Sequence, residues 1–397
     1  MHRTMNKDKH IPQGYKDSPL GIIPKEWEVK RLGDFAPLQR GFDLPTDKII
    51  EGKYPVVYSN GILNYHCEYK AEGPGVVTGR SGTIGKVTYV ESNYWPHNTS
   101  LWVTDFKGNN PKYVFHLYKY LGLSKYASGS GVPTLNRNDV HATKFAIPPT
   151  CEQDKIVEVL DFWDTAIEKQ SELVKKLTLR KRALMQQLLT GKKRLPGFSG
   201  EWKRIKLGDI ADIIGGGTPS TNNSDYWDGG ISWFTPTEIG KTKYVSKSER
   251  TISIDGLHNS PAKKLPKGTI LFTSRATIGA KAILNEAATT NQGFQSLVVK
   301  KGHSNEFVYY CLDIILNSIL QKASGSTFPE ISAEAIKKVE VKIPKEDEQV
   351  ALASVFINAD KEIELANEKL ANLQFQKRGL MQQLLTGKKR VVNMTTL

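Results

Sequence analysis

The chain contains one segment of fourteen residues twice. Residues 181–194 read KRALMQQLLTGKKR and residues 377–390 read KRGLMQQLLTGKKR, so the copies differ at a single position. An internal repeat constrains the architecture of a chain more than any local motif does. The copies lie about half a chain length apart, far beyond the repeat length of a solenoid. The sequence therefore predicts two tandem copies of one module.

Shorter matches extend the repeat over both halves. The matched pairs are Glu26-Trp27 with Glu201-Trp202, Leu32-Gly33-Asp34 with Leu207-Gly208-Asp209, Arg80 and Thr83-Ile84-Gly85 with Arg275 and Thr277-Ile278-Gly279 after deletion of one residue, Ala127-Ser128-Gly129-Ser130 with Ala323-Ser324-Gly325-Ser326, and Glu152-Gln153 with Glu348-Gln349. The sequence between these anchors diverges. We therefore predict a first globular domain over residues 22–150, a helical region over 151–198, a second globular domain over 199–346 and a second helical region over 347–391.

The matched segments carry the spacing of a coiled coil. Apolar residues alternate at intervals of four and three from Ile156 to Leu188 and again from Leu352 to Leu384, which is the pattern of an a/d seam. Lys181 and Lys377 interrupt the two seams at the same place. Prolines precede each segment, and Gly191 and Gly387 stand at the C-cap position, each followed by Lys-Lys-Arg that complements a helix C-terminus.

A helix of about 39 residues is roughly 58 Å long. Because both helices belong to one chain, antiparallel pairing within the chain is the more economical prediction, and a helix that dimerises two chains is the alternative. The globular parts contain short β-branched runs at 75–90, 269–284 and 295–300, with helices expected at 111–123 and 304–323. The predicted fold is α+β: two tandem β-rich domains separated by two long helices that pair as an antiparallel coiled coil, with internal pseudo-two-fold symmetry.

The charge of the chain favours a polyanionic partner. The formal net charge is +14 and the isoelectric point is about 9.4, as in many proteins that bind nucleic acid, although a basic but unspecialised surface gives the same balance. The three cysteines form neither a CxxC pair nor a zinc spacing. No signal peptide and no apolar run of membrane-spanning length is recognisable, so a cytoplasmic protein without a membrane partner is expected.

No catalytic motif is recognisable in the sequence. The stretch GRSGTIGKV at 79–87 has one residue too many between its glycines for a P-loop and a valine where Ser or Thr would bind Mg²⁺. No GxGxxG, no NPPF-like tetrapeptide and no HExxH occurs. We therefore expect no catalytic residue, no metal site and no cofactor bound by this chain.

The order of motifs resembles the specificity subunits of type I restriction–modification systems. The resemblance rests on the two LMQQLLTGKKR segments, on the GEW and LGD motifs that open the second half, and on Gly215-Gly216-Gly217-Thr218-Pro219-Ser220 followed by Tyr226-Trp227 and Ile231-Ser232-Trp233. It covers essentially the whole chain. The first half lacks the GGTPS motif, and residues 38–43 stand in its place.

The resemblance implies a DNA-binding protein without catalytic activity. Two target-recognition domains would each read half of a split double-stranded DNA sequence, while the helices set the half-site spacing and dock two copies of a modification (methyltransferase) subunit. S-adenosylmethionine would bind those partners, and ATP with Mg²⁺ would serve the restriction subunits that complete the complex.

Polar turns flanked by glycine are the candidate DNA readers, because Arg, Asn, Gln, Ser and Thr can reach base edges in the major groove. The candidates are Arg80, Ser81, Thr83, Ser130, Thr134, Asn136 and Arg137 in the first half, and Thr218, Ser220, Ser274, Arg275, Thr277, Asn291, Gln292, Ser326 and Thr327 in the second. Each could instead be an ordinary surface turn. The helix residues Lys175, Lys176, Arg180 and Lys181 form either a solvated face or a surface for DNA backbone or an acidic partner.

Two other functions are compatible with the same sequence. One is a stand-alone DNA-modifying enzyme with a diverged active site, which methyl transfer by the purified chain would reveal. The other is a coiled-coil scaffold whose basic charge is incidental, for which DNA binding would be absent or insensitive to salt.

Overall fold

A computed structural model describes residues 11–129, 133–275, 277–323 and 329–391. The chain divides into two compact units, Met1–Ser171 with Glu368–Leu397, and Glu172–Asn367. Each long helix therefore contributes its first part to one unit and its last part to the other. Both units mix helices and strands, as the repeat predicted.

The described residues of the first unit form short strands and three α-helices before the first long helix. The strands are β1 Tyr15–Ser18, β2 Gly21–Pro24, β3 Glu28–Arg31, β4 Leu38–Arg40, β5 Tyr54–Tyr58, β6 Gly61–His66, β7 Gly75–Gly79, β8 Val87–Val90, β9 Trp95–Pro96, β10 Ser100–Val103, β11 Ala127–Ser128, β12 Thr134–Leu135 and β13 Lys144–Ile147. The helices are α1 Leu32–Phe35, α2 Pro111–Leu121, α3 Arg137–Ala142 and the long α4 Thr150–Leu188. The main sheet has the order β4-β10-β7-β8, and a smaller one the order β6-β5-β9.

The second unit repeats the main elements of the first in the same order. The strands are β14 Lys203–Lys206, β15 Ala211–Gly215, β16 Trp227–Phe234, β17 Tyr244–Val245, β18 Arg250–Ile252, β19 Ile270–Phe272, β20 Lys281–Leu284, β21 Thr289–Thr290, β22 Gln295–Val299 and β23 Glu340–Ile343. The helices are α5 Leu207–Ile210, α6 Ile254–His258, α7 Asn305–Leu320, α8 Ala333–Lys337 and the long α9 Glu346–Leu385.

The sheets of the two units have one topology. The order β15-β22-β19-β20 of the second unit matches β4-β10-β7-β8 of the first, with β17 added at one edge. The small sheet β18-β16-β21 matches β6-β5-β9, and in both the last pair of strands is parallel. The pairs β14/β23 and β3/β13 complete the match. The prediction of a repeated α+β module is confirmed.

Helix α2 shows how local sequence defines the shorter elements. The Asn110 side chain accepts hydrogen bonds from the backbone N–H groups of Lys112 and Tyr113, and Pro111 occupies the first turn, where its missing N–H is no loss. Gly122 ends the helix in the left-handed region at φ 61°. In the second unit, Ser304 caps α7 by accepting from the N–H of Phe307.

The repeated Glu-Gln dipeptide fixes the start of each long helix. The amide of Gln153 donates to the carbonyl of Pro148, and its oxygen accepts from the N–H of Asn110 at the α2 N-cap. Gln349 makes the same two contacts, with Pro344 and Ser304. One side chain thus joins each long helix to the neighbouring short helix.

The long helices pair antiparallel along the predicted seams. In the first unit the early residues of α4 pack with the late residues of α9, and in the second unit the early residues of α9 pack with the late residues of α4. Met381, Leu384 and Leu385 complete the first core. Met185, Leu188 and Leu189 do the same in the second core. The LMQQLL motif therefore occupies the same core position in both copies of the fold.

The lysines that interrupt the seams are held by aspartates. Lys377 pairs with Asp164 in the first unit, and Lys181 pairs with Asp360 in the second. Burial lowers the pKa of Lys377, and the contact with Asp164 opposes that shift. A charge inside a seam is tolerated when it is paired, and it disfavours other registers.

The arginine that ends each repeated motif has a specific partner that the sequence did not show. Arg390 donates from Nε and Nη2 to the buried carboxylate of Glu152, at 3.1 and 2.8 Å. Arg194 makes the same two contacts with buried Glu348, both at 2.6 Å. The expectation that these arginines act on their own helix C-terminus is thus incomplete, because each one binds the start of the other long helix.

Candidate nucleic-acid interface

The structure corrects the predicted match between Arg80 and Arg275. In the first unit the N–H of Gly85 donates to the carbonyl of Gly79, and in the second the N–H of Gly279 donates to that of Thr273. The two turns therefore have equal length, and the deletion assumed in the sequence match is wrong. Arg80 corresponds to Ser274, and Arg275 corresponds to Ser81.

The backbone contacts of these turns support the same correspondence. The carbonyl of Arg80 accepts from the N–H of Leu135 at 2.8 Å, and the carbonyl of Ser274 accepts from the N–H of Ile331 at 3.0 Å. One residue further along, Ser81 forms a β-bridge with Thr134, and Arg275 forms one with Glu330. The two arginines consequently differ in position and in surroundings.

A polar cleft in the first unit collects several of the predicted readers. Its volume is about 720 Å³. The lining residues are Gln39, Arg40, Gly41, Phe42, Asp43, Arg80, Leu101, Ser128, Thr134, Leu135, Asn136 and Arg137. Arg80, Thr134, Asn136 and Arg137 were predicted, whereas Arg40 and Ser128 were not. Three arginines around one concave surface provide the donor chemistry that binds phosphates and guanine edges.

The other described candidates of the first unit do not line the cleft, and the cleft residue Asn136 also has a structural contact. Ser81 is half-buried beside the cleft, across the bridge from Thr134, and Thr83 is exposed on the turn without lining the cleft. The oxygen of Asn136 caps α3 by accepting from the N–H of Asn138, so its amide nitrogen is the part that can donate to a ligand. Ser130 lies outside the described residues.

The glycine-rich loop of the second unit is held by tryptophans. The indole N–H of Trp233 donates to the carbonyl of Gly217 at 2.8 Å, and that of Trp227 donates to the carbonyl of Ser220 at 3.1 Å. A Cβ on Gly216 would lie 2.0 Å from the carbonyl oxygen of Asn291, so glycine is required by close backbone packing. In the first unit Trp95 donates to the carbonyl of Phe42 in the same way, at 3.4 Å.

The predicted DNA-contacting residues Thr218 and Gln292 have equivalents in the first unit that the sequence analysis did not find. The Thr218 hydroxyl donates to the side-chain oxygen of Gln292, and at the equivalent place in the first unit Asn98 donates to Asp43. The signal in the sequence is weak, because only the sheet register aligns His97-Asn98 with Asn291-Gln292. The Asn291 side chain accepts from the N–H of Gly293 and so shapes the turn.

The last predicted residues of the second unit divide into three groups. Arg275, Thr277 and Ser220 are exposed and remain available to a ligand. Ser274 is fully buried, so the prediction that its side chain contacts DNA is wrong. Ser326 and Thr327 lie outside the described residues.

The basic residues of α4 include one that cannot face DNA. Lys175, Lys176 and Arg180 are exposed, with Lys176 paired to Glu172 and Arg180 to Glu362. Lys181 lies in the seam against Asp360, and its ammonium group is 5.2 Å from the ring centre of Tyr310. Its role is therefore structural.

One group of side chains in the described part of the chain has the spacing of metal ligands: His116, Asp161 and Asp164. His116 is fully buried, and its Nε2 lies 2.9 Å from the Asp161 carboxylate. The Lys377 ammonium pairs with Asp164 and supplies the positive charge that a metal ion would bring. In the second unit Tyr310 takes the place of His116 and donates to Asp360, which makes a structural network the better interpretation of both clusters.

Replacement of His116 tests this network through its pH dependence. Burial is the main cause that lowers the pKa of His116, although the hydrogen bond to Asp161 opposes it. The unfolded state then binds the proton of His116 more readily than the folded state does. The contribution of His116 to the free energy of unfolding should therefore be fully present above about pH 6.5 and be lost as the pH falls. For one group, this loss is at most about 1.4 kcal/mol per pH unit. His116→Asn should remove this part of the dependence in denaturant titrations between pH 5 and 7.5.

The exposed His258 provides the control for that experiment. His258→Asn makes the same substitution at a histidine that is exposed to solvent instead of buried, so it separates the effect of the position from that of the residue type. The charged groups that act on His116 are Asp161, Asp164 and Lys377, and neither variant alters them. A His116→Asn profile that coincides with the wild type would contradict the assignment.

No helix in the described residues is long and apolar enough to cross a membrane. The chain presents the same α+β module twice, each packed on the long helices, with differing polar residues at the exposed turns. Proteins of this class use diverged loops on a constant scaffold to distinguish ligands. The sequence profile of the type I restriction modification DNA specificity domain matches residues 24–177 and 199–374, and the chain belongs to that family.

Known relatives agree with the family assignment. The specificity subunit of type I restriction enzyme MjaIX from Methanocaldococcus jannaschii is 39% identical over 176 residues, which cover 43% of this chain and 40% of that protein. The specificity subunit of MjaVIII from the same organism is 22% identical over 94% of this chain and 95% of its own length. The specificity subunit of EcoR124I/EcoR124II from Escherichia coli is 28% identical over 52% of each chain.

Solved structures show the same fold. The S subunit of a type I restriction–modification system from M. genitalium is similar with a TM-score of 0.58 over 90% of this chain and 96% of its own, at 14% identity. A chain from a structural study of complex assembly in the type I system has a TM-score of 0.61 over 92% and 99%, at 16% identity. At these identities the likeness concerns the fold alone.

Proposed function

We propose that this chain is the DNA sequence-recognition subunit of a type I restriction–modification complex. The observation that carries the proposal is the combination of one sheet topology, present twice, with different polar side chains at equivalent turns. A constant fold with variable turns suits two domains that each read a different half of a bipartite double-stranded DNA target.

The first cleft has the chemistry for this role. Arg40, Arg80 and Arg137 can each contact a phosphate or donate two hydrogen bonds to a guanine edge. The net charge of +14 adds attraction to DNA that carries no sequence information and weakens with salt. We include in the proposed interface the predicted residues that the structure leaves exposed or half-buried at these turns.

The helices are proposed to dock the modification subunits and to set the half-site spacing. Leu179 and Phe375 occupy equivalent positions of α4 and α9, and both are highly exposed, at 67% and 70%. We take these two positions as candidate contacts for a partner because the same exposed apolar character recurs at matched positions of the repeat. Two equivalent positions suit two copies of one methyltransferase subunit.

Catalysis is assigned to the partners. We propose that S-adenosylmethionine binds the modification subunits, that ATP and Mg²⁺ serve restriction subunits, and that this chain binds no cofactor and works in the cytoplasm. A stand-alone enzyme is disfavoured because the sequence has no recognisable catalytic motif. A scaffold without DNA contacts would not require the arginine cleft.

Exchange of one domain tests the proposal. Replacing residues 22–150 by the same region of another family member should change one half of the methylated sequence and leave the other half unaltered, because the diverged turns of one unit would be exchanged on the same helices. Single-molecule sequencing of methylated adenines in a host that expresses the complete system provides the measurement.

The reciprocal exchange of residues 199–346 is the matched control, and it should change only the other half. A change in both halves after either exchange would refute the modular assignment. An unchanged motif after both exchanges would show that the globular parts do not read DNA.

A further inference from the structure

One position of the repeated module carries a different pair of side chains in each unit. The β-bridge beside the β7–β8 turn joins Ser81 to Thr134, and the equivalent bridge in the second unit joins Arg275 to Glu330. Two hydroxyl groups in one module are thus replaced by a guanidinium and a carboxylate in the other.

The backbone holds the charged pair in place. The N–H of Ile331 donates to the carbonyl of Ser274 at 3.0 Å, and both of those residues are fully buried. Arg275 and Glu330 follow and precede these buried residues, so their backbones are fixed by the core while their side chains point outward. Nε of Arg275 donates to the carboxylate of Glu330 at 2.7 Å.

Stability does not account for this pair. The Arg275 and Glu330 side chains are 47% and 45% exposed. Exposed ion pairs contribute little to stability because water screens them and ordering two long side chains costs entropy. What the pair does provide is orientation, since an arginine held through Nε keeps its two terminal Nη groups for another acceptor.

We propose that Glu330 is a specificity-determining residue of the second domain that orients Arg275 toward a guanine edge. Arginine binds O6 and N7 of guanine through two donors, and a fixed guanidinium loses less entropy when it does so. The first domain, with Ser81 and Thr134 at this position, reads its own half-site by other means, which include the arginines of the cleft. The inference rests on the proposed function and goes further by naming the pair and the base.

Three variants of the complete methyltransferase complex test the inference. Methylation rates with S-adenosylmethionine would be compared across DNA in which each base of both half-sites is varied. The double variant Arg275→Ser with Glu330→Thr, which copies the first domain, should lower the preference for guanine at one position of the second half-site by roughly 5- to 150-fold. The first half-site should be read as in the wild type.

The single variants separate orientation from charge. Glu330→Thr should lose part of the preference, because Arg275 remains but is no longer oriented. Glu330→Gln should retain most of it, because the amide oxygen can still accept from Nε. The pair Arg204–Glu340, which is exposed in the same unit outside the turn, supplies the control: Arg204→Ser with Glu340→Thr should change no base preference.

Three results would overturn the inference. They are an unchanged base preference in the double variant, a uniform loss of rate on all sequences, and an equal loss in Glu330→Gln and Glu330→Thr. Failure of the proposed function would look different, because the wild-type complex would then methylate no bipartite sequence at all.

Discussion

Replacing Arg390 by alanine should destabilise the first unit by about 3–5 kcal/mol, because among the described residues Arg390 is the cation that pairs with the buried carboxylate of Glu152. Glu152 is 3% exposed and is contacted by Arg390 through two nitrogen atoms and by the indole N–H of Trp27 at 2.9 Å. After the substitution the indole of Trp27 would be the described group that still donates to the carboxylate. Guanidinium titration combined with hydrogen exchange would show the loss, with faster exchange in 150–171 and 368–391.

Equivalent and unrelated arginines provide the controls. Arg194→Ala should have the same effect on the second unit, because Arg194 binds buried Glu348 with the same geometry. Arg204→Ala should cost less than about 0.5 kcal/mol, since its pair with Glu340 is exposed. Combining Arg390→Met with Glu152→Gln should recover much of the loss. A small effect of Arg390→Ala would mean that the ion pair does not hold the helix ends together.

The repeat and the helical seams could be predicted because their signals are periodic. From Ile156 to Leu188 the spacing of apolar residues specified the buried face of α4, and the interruption at Lys181 and Lys377 occurs where the structure has paired charges. Helix periodicity depends only on neighbouring residues along the chain, so a sequence displays it directly.

Contacts between residues that are far apart in the sequence could not be predicted from such local signals. Arg390 and Glu152 are separated by 238 positions, and nothing near either residue indicates the other. The motif Lys-Lys-Arg was predicted to complement the charge at a helix C-terminus. That prediction explained the arginine without a partner elsewhere in the chain.

The alignment of the two candidate turns could not be predicted correctly from the sequence. The sequence singled out the turns at 79–85 and 273–279 as candidate DNA readers, which stays a prediction. Aligning Arg80 with Arg275, however, required a deletion that the hydrogen bonds exclude. Two residues of the same type are easily aligned with each other even when their positions in the backbone register differ by one residue. Ser274 was assigned to the surface for the same reason, whereas the register places it in the core.

The hydrogen bond between Thr218 and Gln292 at the surface also had no sequence signal. Their equivalents, Asp43 and Asn98, have different chemistry but the same geometry, because the pairing is imposed by strands that lie far apart in the chain. Side chains at such positions can change freely as long as a donor meets an acceptor, which hides the relationship from sequence comparison.

Lengthening both long helices by seven residues should increase the spacing between the two DNA half-sites by about three base pairs without altering their bases. Seven residues add roughly 10 Å to a helix, and base pairs are about 3.4 Å apart. The insertions would lie within 168–180 of α4 and 364–376 of α9. These segments lie between the paired charges, so Lys377–Asp164 and Lys181–Asp360 are both preserved.

A whole heptad is needed because it keeps the apolar seam on one face, whereas two residues would rotate the seam by about 200°. Inserting seven residues into α4 alone should instead lower stability, because the two Lys–Asp pairs could no longer form in the same register. Methylome sequencing of a host that expresses each variant measures the spacing directly. If the double insertion is active and the spacing of methylated half-sites stays the same, the helices do not set that distance, and the separation of the half-sites must be determined by the partner subunits.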